Sequence, residues 1–72
     1  MRKKASITAE EAIEIAARVA AENDWPFFKP VRATWGLFNW KVVSNTGARG
    51  CNVYVTINRK TGKVVHKAFN PR

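Results

Sequence analysis

Acidic residues are absent from the last two thirds of this 72-residue sequence, because all five aspartate and glutamate residues lie within the first 24 positions. The chain also has a single histidine, His66, and a single cysteine, Cys51. Enzymes need converging polar groups, such as a nucleophile with a base or a pair of carboxylates, and this supply is poor. One cysteine excludes an internal disulfide, and the usual Cys/His spacing of a zinc site is missing. We therefore expect no metal, no cofactor and no enzymatic activity.

Long hydrophobic runs are absent as well. No apolar stretch approaches the roughly 20 residues of a membrane span. The basic start MRKKAS is followed by the polar ITAEEA, where a signal peptide would have an apolar segment. These features predict no membrane association and favour the cytoplasm, although a mature fragment of an exported protein would look the same.

The composition is that of a small folded domain, since 46% of the residues are hydrophobic and three are tryptophan. Residues 1–5 are predicted to form a basic, flexible tail, and residues 6–72 a single domain. The net charge is +8, and its whole excess lies after residue 24, where nine Lys and Arg residues meet no acid. Such segregation either keeps the protein soluble or provides a basic face for an acidic protein or a nucleic acid.

A helix is predicted from about Ala9 to about Asn23. Thr8 is its expected N-cap, and Glu11 completes a capping box three residues later. One broad side is apolar and mostly alanine, which suits close packing on a sheet. The segment that follows contains Pro26 and three aromatic residues that we expect to close the open end of the core: Trp25, Phe27 and Phe28.

Alternation of apolar and polar residues predicts the strands that follow. CNVYVTINRKTGKVV, residues 51–65, indicates a β-hairpin in which Gly62 supplies a positive φ and Asn58 bonds to the backbone two residues on. Its core face would contain Cys51, Val53, Val55 and Ile57. Residues 37–44 form the preceding strand, with Phe38, Trp40 and Val42 facing the core. Residues 31–35 are either a short strand or an extended lead-in.

The last strand, residues 63–69, has two possible registers. Because burying an unpaired ammonium is costly, the position of Lys67 favours Val64, His66 and Ala68 inward, with Val65 and Phe69 on the other face. The predicted fold is therefore α+β in two layers: one N-terminal helix packed on a three-stranded antiparallel sheet, in the order α-β-β-β.

Several of these segments resemble the PepSY family of small α+β domains. The similarity lies in the capped helix ITAEEAIEIA, the strand Trp40-Lys41-Val42-Val43 and the hairpin VTINRKTGKVV, and spans about residues 6–69. Asn58 stands where that family commonly has Asp. The resemblance implies a non-enzymatic module of the kind that accompanies peptidases as a propeptide or inhibitor, usually outside the cytoplasm.

The face of the sheet away from the helix is the expected binding surface, together with the loops at its ends. Arg49 beside Gly50 could also present a guanidinium and backbone N–H groups to a phosphate, although loops with two glycines are common. The predicted binding residues are Lys41, Arg49, Tyr54, Thr56, Arg59, Lys60, Lys63, Lys67 and Phe69. We expect them to bind another protein, preferably an acidic surface, as an inhibitor or accessory module would, through this face or by adding a strand at a sheet edge. The alternative is nucleic acid bound to the same acid-free face.

Overall fold

The computed structural model, which describes residues 6–71, is a four-stranded antiparallel sheet with one helix packed on it. The predicted tail, residues 1–5, lies outside the described residues. The elements are α1 (Ala9–Glu22), β1 (Arg32–Trp35), β2 (Asn39–Val43), β3 (Asn52–Asn58) and β4 (Val64–Asn70). The strands pair in chain order, and α1 packs on one face against β1, β2 and β3. The two-layer α+β prediction is confirmed, but the sheet has one strand more than predicted.

Helix α1 begins as predicted. Thr8 Oγ1 accepts a hydrogen bond from the Glu11 amide at 3.1 Å, and Glu11 Oε1 accepts one from the Thr8 amide at 2.8 Å, which completes the capping box. The alanine side of the helix is buried on the sheet at Ala12, Ala16 and Ala20. Small side chains let the helix backbone lie close to the strands. The helix therefore contributes few bulky side chains to the core.

The core lies between α1 and the strands, where Val42, Val53, Val55 and Ile57 are buried. Trp25 and Phe27 pack against this cluster, as the connector was expected to do, whereas Phe28 is half exposed. Cys51, expected in the core, is only partly buried and adopts a φ of +54° just before β3 begins.

The extra strand is β1, the run for which the sequence left two alternatives. It pairs with β2 from Arg32 opposite Val43 to Trp35 opposite Trp40. A tight turn then joins the two strands, with the Gly36 amide donating to the Asn39 carbonyl at 2.7 Å. Phe38 lies in this turn and is 71% exposed, so its predicted place in the core is wrong. The reason is that β2 begins at Asn39, one residue after Phe38.

The predicted register of the last strand is wrong for His66, Ala68 and Phe69, although Val64 faces the helix side as predicted. Residues directly opposite each other in an antiparallel pair share a face, and β3 pairs Val53 with Phe69 and Val55 with Lys67. Phe69 and Lys67 therefore lie on the helix side, and His66 and Ala68 on the outer side. A bulge opposite Thr56 and Ile57 returns Val64 to the helix side, opposite Ile57.

Two local conditions make this register possible. Helix α1 does not extend over β4 as it does over the other strands, so Lys67 is exposed although it faces the helix layer. Phe69 stacks on Trp25, with ring centroids 5.6 Å apart and planes inclined by 15°. The desolvation cost that favoured the other register therefore does not arise for Lys67, and Phe69 gains an aromatic partner.

Candidate binding surfaces

The first candidate surface is the side of the sheet that α1 leaves uncovered. Two rows of paired residues cross it, one from Arg32 through Val43 and Tyr54 to Ala68, the other from Thr34 through Lys41 and Thr56 to His66. We define the outer basic face as the exposed members of these rows together with Arg49 from the β2–β3 loop. These residues are Arg32, Thr34, Lys41, Arg49, Tyr54 and His66.

No acidic residue lies on the outer basic face. Four of the acids are on α1, in the opposite layer, and Asp24 follows the end of that helix. Within residues 6–71, no ion pair or hydrogen bond engages the side chains of Arg32, Lys41 or Arg49. The charge segregation along the sequence thus becomes a separation between two faces of the molecule, with uncompensated cations on the sheet side.

Arg49 lies at this face because hydrogen bonds from a buried side chain hold the β2–β3 loop in place. The side chain of Asn52 is buried, and its Nδ2 donates to the carbonyls of Ser44, Asn45 and Ala48 at 3.0, 2.9 and 3.3 Å. Its Oδ1 accepts from the Gly50 amide at 2.8 Å. These four bonds hold the loop backbone beside the outer side of the sheet, where a hollow of about 340 Å³ is lined by residues that include Arg32, Arg49 and Tyr54.

The second candidate surface lies at the opposite end of the sheet, in the β1–β2 turn. Trp35, Leu37 and Phe38 are 61%, 79% and 71% exposed, more than any other large hydrophobic side chain within residues 6–71. We define these three residues as the apolar tip. A domain of this size has few bulky residues for its core, so three of them left in solvent at one position indicate a contact surface.

Arg59 braces the apolar tip from the β3–β4 turn. Its Nη1 donates to the carbonyls of Gly36 and Leu37 at 3.1 and 2.9 Å, and its guanidinium carbon lies 4.2 Å from the centre of the Trp35 ring. The Arg59 amide donates to the Phe38 carbonyl at 2.9 Å. One residue thus fixes the turn through its backbone and its side chain, while its positive charge stays beside the apolar tip.

Two hollows flank Leu37. One, of about 260 Å³, is lined by Ser6, Leu37, Phe38, Asn58, Arg59 and Lys60. The other, of about 320 Å³, is lined by Trp35, Gly36, Leu37 and Arg59. Leu37 and Arg59 belong to both, so the apolar tip is a ridge with a depression on each side, and neither depression has an acidic lining residue.

The predicted binding residues do not form one surface. Lys41, Tyr54 and Thr56 share the outer side of the sheet, as expected, and Arg49 lies at one end of it. The β3–β4 turn at the opposite end contains Arg59, Lys60 and Lys63. Lys67 and Phe69 are on the helix side of β4, so their predicted place on the outer side is wrong.

Sequence reasoning missed six residues of these surfaces: Arg32, Thr34, Trp35, Leu37, Phe38 and His66. The available signal was Gly36, which interrupts two apolar runs at the spacing of a hairpin turn. Treating Gly36 as a turn would have placed Leu37 and Phe38 outside the strands and paired Arg32 with β2.

Cys51 and His66, the one thiol and the one imidazole of the chain, are not neighbours. His66 lies opposite Thr56 on the exposed outer side, five residues along β3 from Cys51, which corresponds to about 16 Å. His66 is therefore not the core residue that was expected. Among the described residues, no group of three or more His, Cys, Asp or Glu side chains could hold a metal ion. No helix in residues 6–71 is long and apolar enough to cross a membrane.

Comparison with protein-family models, with curated proteins and with solved structures finds no match for this chain. The resemblance to PepSY domains therefore stays a prediction. The class that the fold itself defines is a two-layer α+β domain with one uncovered sheet face and an exposed apolar tip.

Proposed function

We propose that this protein is a non-catalytic binding domain that holds another protein through the apolar tip. The observation that supports the proposal is the exposure of Trp35, Leu37 and Phe38 together on a braced turn. Tryptophan and arginine are enriched among the residues that dominate protein interfaces, where they lie in a central contact surrounded by polar residues. Trp35 stacked under Arg59 provides this combination.

The partner should present apolar side chains with acidic residues around them. Leu37 separates two hollows, each of which is large enough to receive a side chain from a partner. The charges nearest to the hollows are those of Arg59 and Lys60, so a partner with Asp or Glu at the rim gains complementary charge. Because Arg59 already holds the turn, little conformational entropy is lost on binding. This mode also agrees with the inhibitor or accessory role that the PepSY resemblance implies.

Selection from a phage-displayed peptide library on the immobilised protein tests the proposal. We expect enrichment of peptides with Leu, Phe or Trp next to Asp or Glu. Their affinity for the Leu37→Ser/Phe38→Ser variant should be at least about tenfold lower, since two buried apolar contacts are lost. The matched control is Val65→Ser, which removes an exposed apolar side chain, 58% accessible, from a different part of the sheet.

Two results would contradict the proposal. The first is that selected peptides bind the double variant as tightly as the unaltered protein. The second is that the apolar tip binds vesicles of anionic phospholipid, with the same dependence on Leu37 and Phe38, while no peptide is enriched. Exposed aromatic residues beside cations also suit a lipid surface, and this outcome would assign the apolar tip to a membrane instead.

A further inference from the structure

We infer that the outer basic face is a second binding site, for single-stranded nucleic acid. It is separate from the apolar tip, since Arg49 lies beyond the β2–β3 end of the sheet and the apolar tip beyond the other end. The two sites can therefore be tested independently.

The cations of this face are available to phosphates. Arg32, Lys41 and Arg49 are exposed, and within residues 6–71 their side chains have no partner. Arg32 and Arg49 line the same hollow with Tyr54, and Lys41 lies in the neighbouring row, diagonal to Tyr54. Because four of the five acids lie on α1 in the opposite layer and Asp24 follows that helix, the electrostatic potential at this face favours a polyanion.

The uncharged groups of the face also suit a nucleic acid better than a protein. Thr34 and Thr56 share the Lys41 row, and Asn39 pairs with Asn58 in the next one. Hydroxyl and amide groups contribute much of the hydrogen bonding to phosphates and sugars. A protein interface needs an apolar centre, but the most exposed hydrophobic side chains belong to the apolar tip.

Tyr54 points to a single strand rather than a duplex. Tyr54 belongs to the Arg32 row, is 40% exposed and lines one hollow with Arg32 and Arg49, while Lys41 lies diagonal to it. Sheets that bind single strands stack unpaired bases on such rings, whereas the bases of a duplex are stacked on each other and cannot reach them. The Asn52 side chain bonds to the loop backbone on both sides of Arg49, at Ala48 and Gly50, which holds the Arg49 backbone near this ring before any ligand binds.

Fluorescence anisotropy with a labelled 12-nucleotide oligothymidylate, over a series of salt concentrations, tests the inference. Three phosphate contacts predict that log Kobs falls with log salt with a slope of about −2, so that affinity drops about 20-fold between 50 and 200 mM salt. Each single substitution of a cation should reduce the magnitude of this salt slope by about 0.7; the variants are Arg32→Gln, Lys41→Gln and Arg49→Gln. Tyr54→Leu should weaken binding about tenfold without changing the slope, and Tyr54→Phe should bind normally.

Lys63→Gln is the matched charge control, because it removes one positive charge from the β3–β4 turn, away from the face. The inference is overturned if Lys63→Gln and Lys41→Gln change the slope equally, because binding would then reflect net charge. Absence of binding at 50 mM salt would also overturn it. So would tighter binding of polyglutamate with the same dependence on Arg32 and Arg49, which would assign the face to an acidic polypeptide. The Leu37→Ser/Phe38→Ser variant should bind the oligonucleotide normally, so failure here is distinct from failure at the apolar tip.

Discussion

Gly62 shows how one residue sets the connection between β3 and β4. It has a φ of +78°, and its amide donates to the Asn58 carbonyl at 2.9 Å. Asn58 Oδ1 in turn accepts from the amides of Lys60 and Thr61 at 2.8 and 3.0 Å. The positive φ and the Asn58 bonds confirm what the Asn-x-x-x-Gly pattern predicts.

Gly62→Ala should lower the free energy of unfolding by about 1–2 kcal/mol, the cost of placing a Cβ in the left-handed region. The added atom would lie 3.5 Å from Ile15 Cδ1, an ordinary contact, so the loss is conformational rather than steric. Urea denaturation measures it. Gly47→Ala is the control: its Cβ would meet nothing within 4 Å, and we expect a change below about 0.5 kcal/mol. Equal effects at the two glycines would show that the turn does not require Gly62.

The burial of the Asn52 side chain could not be predicted from the sequence pattern. Strand alternation places it on the outer side with Tyr54, and the pairing agrees, yet its side chain is buried, with 5% exposed. The β2–β3 loop folds back over it, and the bonds that hold this loop join Asn52 to residues up to eight positions earlier in the chain. Period-two patterns describe faces, and they do not show which loops cover them.

The β1–β2 hairpin is stabilised by Arg59, which lies outside it in the β3–β4 turn. Arg59 Nε is buried without a hydrogen-bond partner within residues 6–71, while Nη1 serves two carbonyls of the turn. Sequence reasoning predicted Arg59 as a binding residue. In the structure the Nη1 group of Arg59 is engaged by the β1–β2 turn, and its contribution to binding would be to hold the apolar tip rigid.

Arg59→Lys should loosen this turn, because a lysine cannot donate to both carbonyls and stack on Trp35 in the same way. We expect a loss of about 1–2 kcal/mol and faster hydrogen exchange at the Gly36 amide, which bonds across the turn to Asn39. Lys60→Ala is the neighbouring control and should leave that exchange rate unchanged. An unaltered rate at Gly36 in Arg59→Lys would mean that the turn is held by its backbone alone.

Strand β4 was the element least predictable from sequence. The helix ahead of an antiparallel sheet, the capping box and the inward positions of Val53, Val55 and Ile57 all follow from local patterns, and the structure agrees with them. The register of β4 depends on two distant facts, namely that the helix leaves Lys67 uncovered and that Trp25 offers a ring to Phe69. The bulge then breaks the alternation at Val65, so neither uniform register describes the strand.

For the whole molecule, β4 is an end strand of the sheet, and Lys67 is the exposed charge near its middle. End strands can pair with another chain, and charged residues on them discourage this. Lys67→Val leaves the run from Val64 to Phe69 without a lysine or arginine, so we expect the variant to self-associate more strongly than the unaltered protein. Sedimentation velocity at several concentrations measures the difference.

Lys63→Val, which removes the same charge just outside β4, should sediment like the unaltered protein. If Lys67→Val shows no additional dependence on concentration, the β4 edge is protected by something other than this charge, such as the bulge.

The separation of charge between the two layers has a practical consequence for anyone who handles this protein. On a carboxylated sensor chip, on glass or on a cation-exchange resin, it should adsorb in one orientation, with the sheet against the support and α1 toward the solution. Adsorption would then cover the outer basic face. Even the unaltered protein would fail to bind its ligand, as if a substitution had removed the site. An uncharged support, with attachment through the helix side, leaves both surfaces open to a ligand.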